Sequence, residues 1–273
     1  MSKQLMVCLV LVAVLGDQFM QIECDGGSVD KAKGAMTQGN KKGESSRTAL
    51  HVAAENGNLE DVGKLLTKGA KVDSTDEEQR KPLHLAAMNG HKDVAERLIT
   101  KGAKVDVLDN YNLTPLHHAV MNRHKDVAEM LVTKGAKVDI KDFYNRTPLH
   151  YAAMNDQTEV VELLIAKKAT VNPLDILQRT PLHYAAENGH KDVAEMLITR
   201  GAKVDLGDSH DRTPLHYAAE NGNLQIIKIL VANQASLTNK DYLHETPYQI
   251  ALNNNKKAVA DYLKETEEKR RQN

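Results

Sequence analysis

Along most of the chain the apolar positions come in two short bursts, and the pair of bursts recurs. One copy reads Thr180-Pro181-Leu182-His183-Tyr184-Ala185-Ala186-Glu187-Asn188-Gly189, followed by His190-Lys191-Asp192-Val193-Ala194-Glu195-Met196-Leu197-Ile198-Thr199-Arg200-Gly201. The first burst predicts a short helix. Thr offers an oxygen to cap its start, Pro fits a first turn that needs no N–H, and Leu with Ala-Ala forms a narrow apolar face. Gly189 suits the left-handed conformation that closes such a helix. In the second burst Val193, Ala194, Met196, Leu197 and Ile198 form one stripe, predicting a second helix that Gly201 stops. A short extended piece, 202–205, and a polar turn lead to the next Thr.

The same four-residue opening stands at Thr48-Ala49-Leu50-His51, Lys81-Pro82-Leu83-His84, Thr114-Pro115-Leu116-His117, Thr147-Pro148-Leu149-His150, Thr180, Thr213-Pro214-Leu215-His216 and Thr246-Pro247-Tyr248-Gln249, each copy offset by 33 residues. A fixed period of this size marks a solenoid. Helices of roughly eight to eleven residues are marginal alone in water, so each unit is stable only when its apolar face lies on its neighbours. The Ala pairs let adjacent helices approach to about 8 Å.

Two segments stand outside the period. Met1-Ser2-Lys3 is a cationic start, Leu5 to Leu15 is uninterruptedly apolar, and Gly16-Asp17 opens polar sequence. That is the shape of a secretory signal, and a run of about 11 residues is too short for a helix to cross the ~30 Å core of a bilayer. We expect 1–16 to be a signal peptide, cut between 16 and 24, and no membrane span in the mature chain. Cys8 lies in the signal, leaving Cys24 as one thiol with no disulfide framework. Residues 17–46, rich in Gly, Lys and Ser, read as a flexible lead-in or weak N-cap. The repeat domain is then 47–264, with 265–273 a charged tail.

Composition narrows the picture. Two Phe, no Trp and 4% aromatic residues leave the packing to small apolar side chains. With 36 basic against 37 acidic residues, the chain lacks the basic excess that neutralises nucleic-acid phosphates. Nucleic acid is therefore not an expected partner.

The Thr-Pro-Leu-His-x-Ala-Ala core, the Gly-His or Gly-Asn link and the Gly-Ala-x-Val-Asp ending resemble the ankyrin-repeat family over about residues 45 to 264. The resemblance implies an all-α repeat solenoid of seven ankyrin repeats, each a helix-turn-helix with a β-hairpin finger. It also implies that inner helices and fingers line a concave groove and that the role is binding rather than catalysis. Departures stand out against it. Lys81 replaces the capping Thr; Arg123, Asp156 and Asn255 replace the glycine between helices; Lys168 and Gln234 replace the glycine that ends the second helix. Each of the latter five sits where φ is expected to be positive, at a cost of about 0.5 to 1 kcal/mol.

The residue types that could carry chemistry recur with the repeat. Of the twelve histidines, His51, His84, His117, His150, His183 and His216 share one repeat position. Rows spaced by helix stacking, roughly 8 to 10 Å, cannot bring two imidazole nitrogens to the ~2.1 Å of one zinc. Each ring is expected to tie turn to helix through the nearby Thr hydroxyl. His91, His124 and His190 recur in the same way, and His117-His118 has no third ligand. Asp76, Asp109, Asp142, Asp175, Asp208 and Asp241 lie five residues before each Thr position, where a carboxylate can accept N–H bonds of a turn. No Ser/His/Asp or Cys/His set stands out, so we expect no enzyme, no cofactor and no metal.

Function should lie where the repeats differ. At the groove positions the resemblance implies, the central repeats carry Met88, Leu108, Tyr111, Leu113, Met121, Phe143, Tyr144, Arg146, Met154, Leu174, Ile176 and Leu177. The ends carry Glu55, Glu187, Ser209, His210, Glu220 and Asn221. An apolar centre with aromatic anchors and adaptable Met inside a polar rim suits a protein interface. Asn112-Leu113-Thr114 and Asn145-Arg146-Thr147 are acceptor sequons for N-glycosylation at the turns before two repeats.

The reading is a secreted, monomeric protein-binding scaffold that holds a protein partner in the groove of repeats two to five. A secreted toxin or host-directed effector is one rival. The other is an intracellular inhibitor or adaptor, cytoplasmic, with an uncleaved N-terminus.

Overall fold

The computed structural model describes residues 47–272, so the proposed signal and lead-in lie outside the described residues. Fourteen helices follow one another and no strand occurs among the described residues. They form consecutive pairs: α1 (Ala49–Glu55) and α2 (Leu59–Thr67); α3 (Pro82–Met88) and α4 (Lys92–Thr100); α5 (Pro115–Met121) and α6 (Lys125–Thr133); α7 (Pro148–Met154) and α8 (Thr158–Ala166). The series continues with α9 (Pro181–Asn188) and α10 (Lys191–Thr199), α11 (Pro214–Asn221) and α12 (Leu224–Ala232), and α13 (Pro247–Asn253) and α14 (Lys257–Gln272). The architecture is an all-helical repeat solenoid.

The local reasons are those the sequence offers. Thr114, Thr147, Thr180 and Thr213 hold an extended backbone just before their helices, and Pro opens each of the four. First helices stack on first helices through Leu83, Leu116, Leu149, Leu182 and Leu215 with the intervening alanines, all essentially without solvent contact. Second helices lay Val94, Val127, Val160 and Val193 inward, with Leu98, Leu131, Leu164 and Leu197 one turn on. Each buried Leu or Val contributes about 1.5 to 3 kcal/mol of transfer free energy, and the burial is supplied by the adjacent pair. The glycine replacements take positive φ as expected: Arg123 61°, Asp156 53°, Asn255 57°, Lys168 67° and Gln234 66°.

One expectation is corrected. The fingers are not β-hairpins. Each finger's own backbone bonds are confined to one tight turn, from the Asp N–H to the carbonyl four residues on and to the Asp carbonyl from the N–H three residues on. The Asp carboxylate takes up two more N–H groups, and a further bond runs sideways to the next finger. The charged end continues α14 through 265–272. There the Arg270 guanidinium donates to the carbonyls of Ala235 and Val231, at 2.8 and 2.9 Å, at the C-terminal end of α12.

Candidate protein-binding face

Each finger is built on its aspartate. Asp76, Asp109, Asp142, Asp175, Asp208 and Asp241 accept through Oδ1 from the N–H groups two and four residues on, at 2.8–3.0 Å. The turns so closed are then stitched side by side. Phe143 N donates to Tyr111 O at 2.9 Å, Ile176 N to Tyr144 O at 3.0 Å, Ser209 N to Leu177 O at 2.8 Å and Tyr242 N to His210 O at 3.0 Å. The tip side chains therefore form one row.

The histidine row holds this row of turns to the helices. In His51, His84, His117, His150, His183 and His216, Nδ1 accepts from the backbone N–H three residues back, at 2.9–3.1 Å. With Nδ1 an acceptor, Nε2 carries the proton, and it donates to a carbonyl 29 residues on: Arg80, Leu113, Arg146, Arg179, Arg212 or Glu245, at 3.1–3.4 Å. The Thr hydroxyl contact expected from sequence is present, for example 2.8 Å between Thr180 Oγ1 and His183 Nδ1. The ring does more than that contact requires, because it joins one unit to the next. Burial makes protonation unfavourable, pushing His117 and His150 down to about 3 and His84 and His183 to about 4. A second row, His91, His124 and His190, donates from Nε2 to the carbonyls of Glu55, Met88 and Met154 at 2.8, 3.0 and 2.9 Å. Among the described residues no group of three or more His, Cys, Asp or Glu is placed to hold a metal ion.

Behind the tips runs a buried polar column that single-residue motifs did not reveal. Tyr184 OH donates to Asp175 Oδ2 at 2.5 Å and Tyr217 OH to Asp208 Oδ2 at 2.6 Å, and Tyr151 OH donates to Asp142 in the same way. Arginines from the preceding unit interleave. Arg146 donates to Tyr184 OH at 3.1 Å and Arg179 to Tyr217 OH at 2.6 Å. The Arg179 guanidinium also lies over the Tyr217 ring, 4.5 Å from its centroid. Burial outweighs the tyrosine bond at Asp142 and raises its carboxyl, whereas at Asp208 the Tyr217 bond and two turn N–H groups overcome burial and lower it. The signal that could have found this column was present: Tyr recurs at 151, 184 and 217 and Arg at 146, 179 and 212, at the same period.

Against this frame the expected interface residues separate. Leu108, Tyr111, Phe143, Leu174 and Ile176 are exposed, with Tyr111 57% and Phe143 63% open to solvent. Met88, Met121, Met154, Tyr144 and Leu177 are half-buried along the same faces. Leu113 and Arg146 are not on the surface. Both are buried, Leu113 where its carbonyl accepts from His84 and Arg146 between the rings of Tyr144 and Tyr184. Their position in the unit points into the column, so side-chain type could not bring them out. Tyr242 and Leu243, on the last finger, are exposed apolar tips outside the expected set.

The methionines occupy a position that is acidic elsewhere. Where the second, third and fourth units have Met88, Met121 and Met154, the first, fifth and sixth have Glu55, Glu187 and Glu220. Those glutamates pair with the arginine eight residues earlier: Arg47 with Glu55, Arg179 with Glu187 at 3.2 Å, and Arg212 with Glu220 at 2.7 Å. The ion pairs thus flank a stretch without them, and the floor of that stretch is thioether.

The ankyrin-repeats family model matches in three copies, over residues 50–142, 140–208 and 205–273. Among solved structures, the crystal structure of the human ASB11 ankyrin repeat domain is similar, at 29% identity and a TM-score of 0.70 over 75% of this chain and 92% of that one. No curated protein matches in sequence. Ankyrin repeats are protein-binding scaffolds that mediate protein–protein interactions, and among the described residues no helix is long and apolar enough to cross a membrane. The matched segments together run from residue 50 to 273, over the series of helix pairs, and the chain belongs to the ankyrin-repeat family.

Proposed function

We propose that this protein is a secreted, monomeric scaffold, not an enzyme, that recognises a protein partner on the finger and first-helix face of its second to fifth units. The observation that carries the reading is the substitution of Met88, Met121 and Met154 for the ion-paired glutamates of the flanking units, in front of the exposed tips Tyr111, Phe143 and Ile176. The fingers of the same central units expose five apolar side chains, Leu108, Tyr111, Phe143, Leu174 and Ile176. Soluble monomers rarely leave such patches uncovered beyond a few hundred Å2. Adaptable Met beneath aromatic anchors matches the make-up of interface centres. Secretion rests on the cationic and apolar start of the sequence.

The test is a quadruple variant, Leu108, Tyr111, Phe143 and Ile176 each to Ser, compared with a control altered at the outward Lys92 and Glu129. Cross-linking in the extracellular fluid should capture a protein with the parent chain and the control, and lose it with the quadruple variant. Melting should change little, because all four side chains are exposed, Tyr111 and Phe143 by more than half. A large fall in melting temperature would show instead that the tips serve the fold.

A further inference from the structure

We propose that Asn112 and Asn145 carry N-linked oligosaccharides, attached before the third and fourth units close. The inference rests on the secretory reading above. Both asparagines are exposed, at the same place in successive fingers, and their side-chain amides make no hydrogen bond among the described contacts. That sets them apart from Asn89, Asn122 and Asn155, whose amides donate to main-chain carbonyls. Their backbones take φ of 59° and 58°, the left-handed conformation that asparagine tolerates in a turn. The other four fingers put Gln79, Gln178, Asp211 and His244 there with the same hand of backbone, so only these two apices combine a free Asn with a Thr two residues on.

The order of events follows from the threonines. Thr114 and Thr147 are each 1% exposed, and their hydroxyls lie 2.9 and 3.2 Å from His117 and His150 Nδ1. Two of the three residues of each acceptor sequence, Leu113 with Thr114 and Arg146 with Thr147, are thus hidden once the unit closes, and transfer must come first. In the step, the Asn Nδ2–C1 bond forms as the C1–O bond to the pyrophosphate of a lipid-linked oligosaccharide breaks. The pyrophosphate leaves with the electron pair and the amide nitrogen loses a proton. Each glycan would then stand next to Tyr111 or Tyr144, so that it bounds the apolar face on the finger side and orients the partner.

The full chain expressed in a secretory eukaryotic cell decides the matter. The chain recovered from the medium should lose mass on enzymatic release of N-glycans; Asn112→Gln and Asn145→Gln should each remove one oligosaccharide, and the double variant both. Gln is accommodated at this apex, as Gln79 and Gln178 show. Recovery from the medium at the bare polypeptide mass overturns the proposal and leaves secretion standing. A chain kept inside the cell with Met1 intact overturns both. For the timing, refolded, unmodified chain offered transferase and lipid-linked oligosaccharide should stay unmodified while the denatured chain accepts sugar; equal acceptance overturns it.

Discussion

His118 Nε2 lies 2.8 Å from Asp109 Oδ2, with both side chains buried, at the place where each of the next three units sets a tyrosine hydroxyl on its own corresponding aspartate. The bond from His118 outweighs burial and holds the Asp109 carboxyl low. Leu113 stands where the later fingers have Arg146, Arg179 and Arg212, and the arginine one unit earlier, Arg80, is held by Asp76 and Glu78.

Removing the imidazole should therefore strand a buried carboxylate. His118→Leu is expected to cost about 3 kcal/mol, in the range for breaking a buried pair by deleting one partner. His118→Tyr, which restores the neighbours' arrangement, should cost less than about 1 kcal/mol. Denaturant titration of the three chains checks the order, and equal losses for Leu and Tyr would refute it.

Acid should unfold the stack. The row histidines titrate lower in the folded chain than the ordinary 6.5, so the unfolded chain binds more protons as the pH falls. Their contribution is complete above about pH 6.5 and is lost progressively down to about pH 3 to 4. At pH 5 each of His117, His150 and His183 should cost on the order of 2 kcal/mol, together comparable to a whole domain's stability. Circular dichroism against pH should show a cooperative loss of helix near pH 5, and helix retained at pH 4 would exclude the row as the cause.

Two backbone positions should respond in opposite directions. Gly90 has φ of 74°, and a Cβ there would come within 2.6 Å of His124 Nδ1, the ring that donates to Met88 O. Gly90→Ala should cost more than about 1 kcal/mol, from positive φ and a displaced ring. Lys168, at φ 67° where other units have an uncrowded glycine, should gain about 0.5 to 1 kcal/mol on conversion to Gly. Thermal melts of both variants test this.

The end of the last helix, beyond the buried Val259, Ala260 and Leu263, should matter through Arg270. Arg270→Ala removes two charge-assisted bonds to carbonyls at the end of α12, and is expected to cost about 1 kcal/mol, as is truncation after Lys264. Hydrogen exchange should report the loss in α12 first. Unchanged protection there would mean that the 265–272 turn of α14 is dispensable.

The 33-residue period, the Thr-Pro starts, the glycines and the Ala pairs were enough to determine the helix pairs and their stacking, because each of these signals acts through the backbone within a few residues. The positive φ at Arg123, Asp156 and Lys168 was legible for the same reason. Tertiary structure alone decided what a given position faces. Leu113 and Arg146 read as surface because of their place beside a finger, yet they are buried, since the neighbouring unit brings His84 to one and Tyr184 to the other. Likewise the partners of the histidines lie 29 residues away and the arginine–tyrosine bonds span 38. Those contacts depend on how one unit sits against the next, which side-chain periodicity implies must happen but whose pairings only the packed stack assigns.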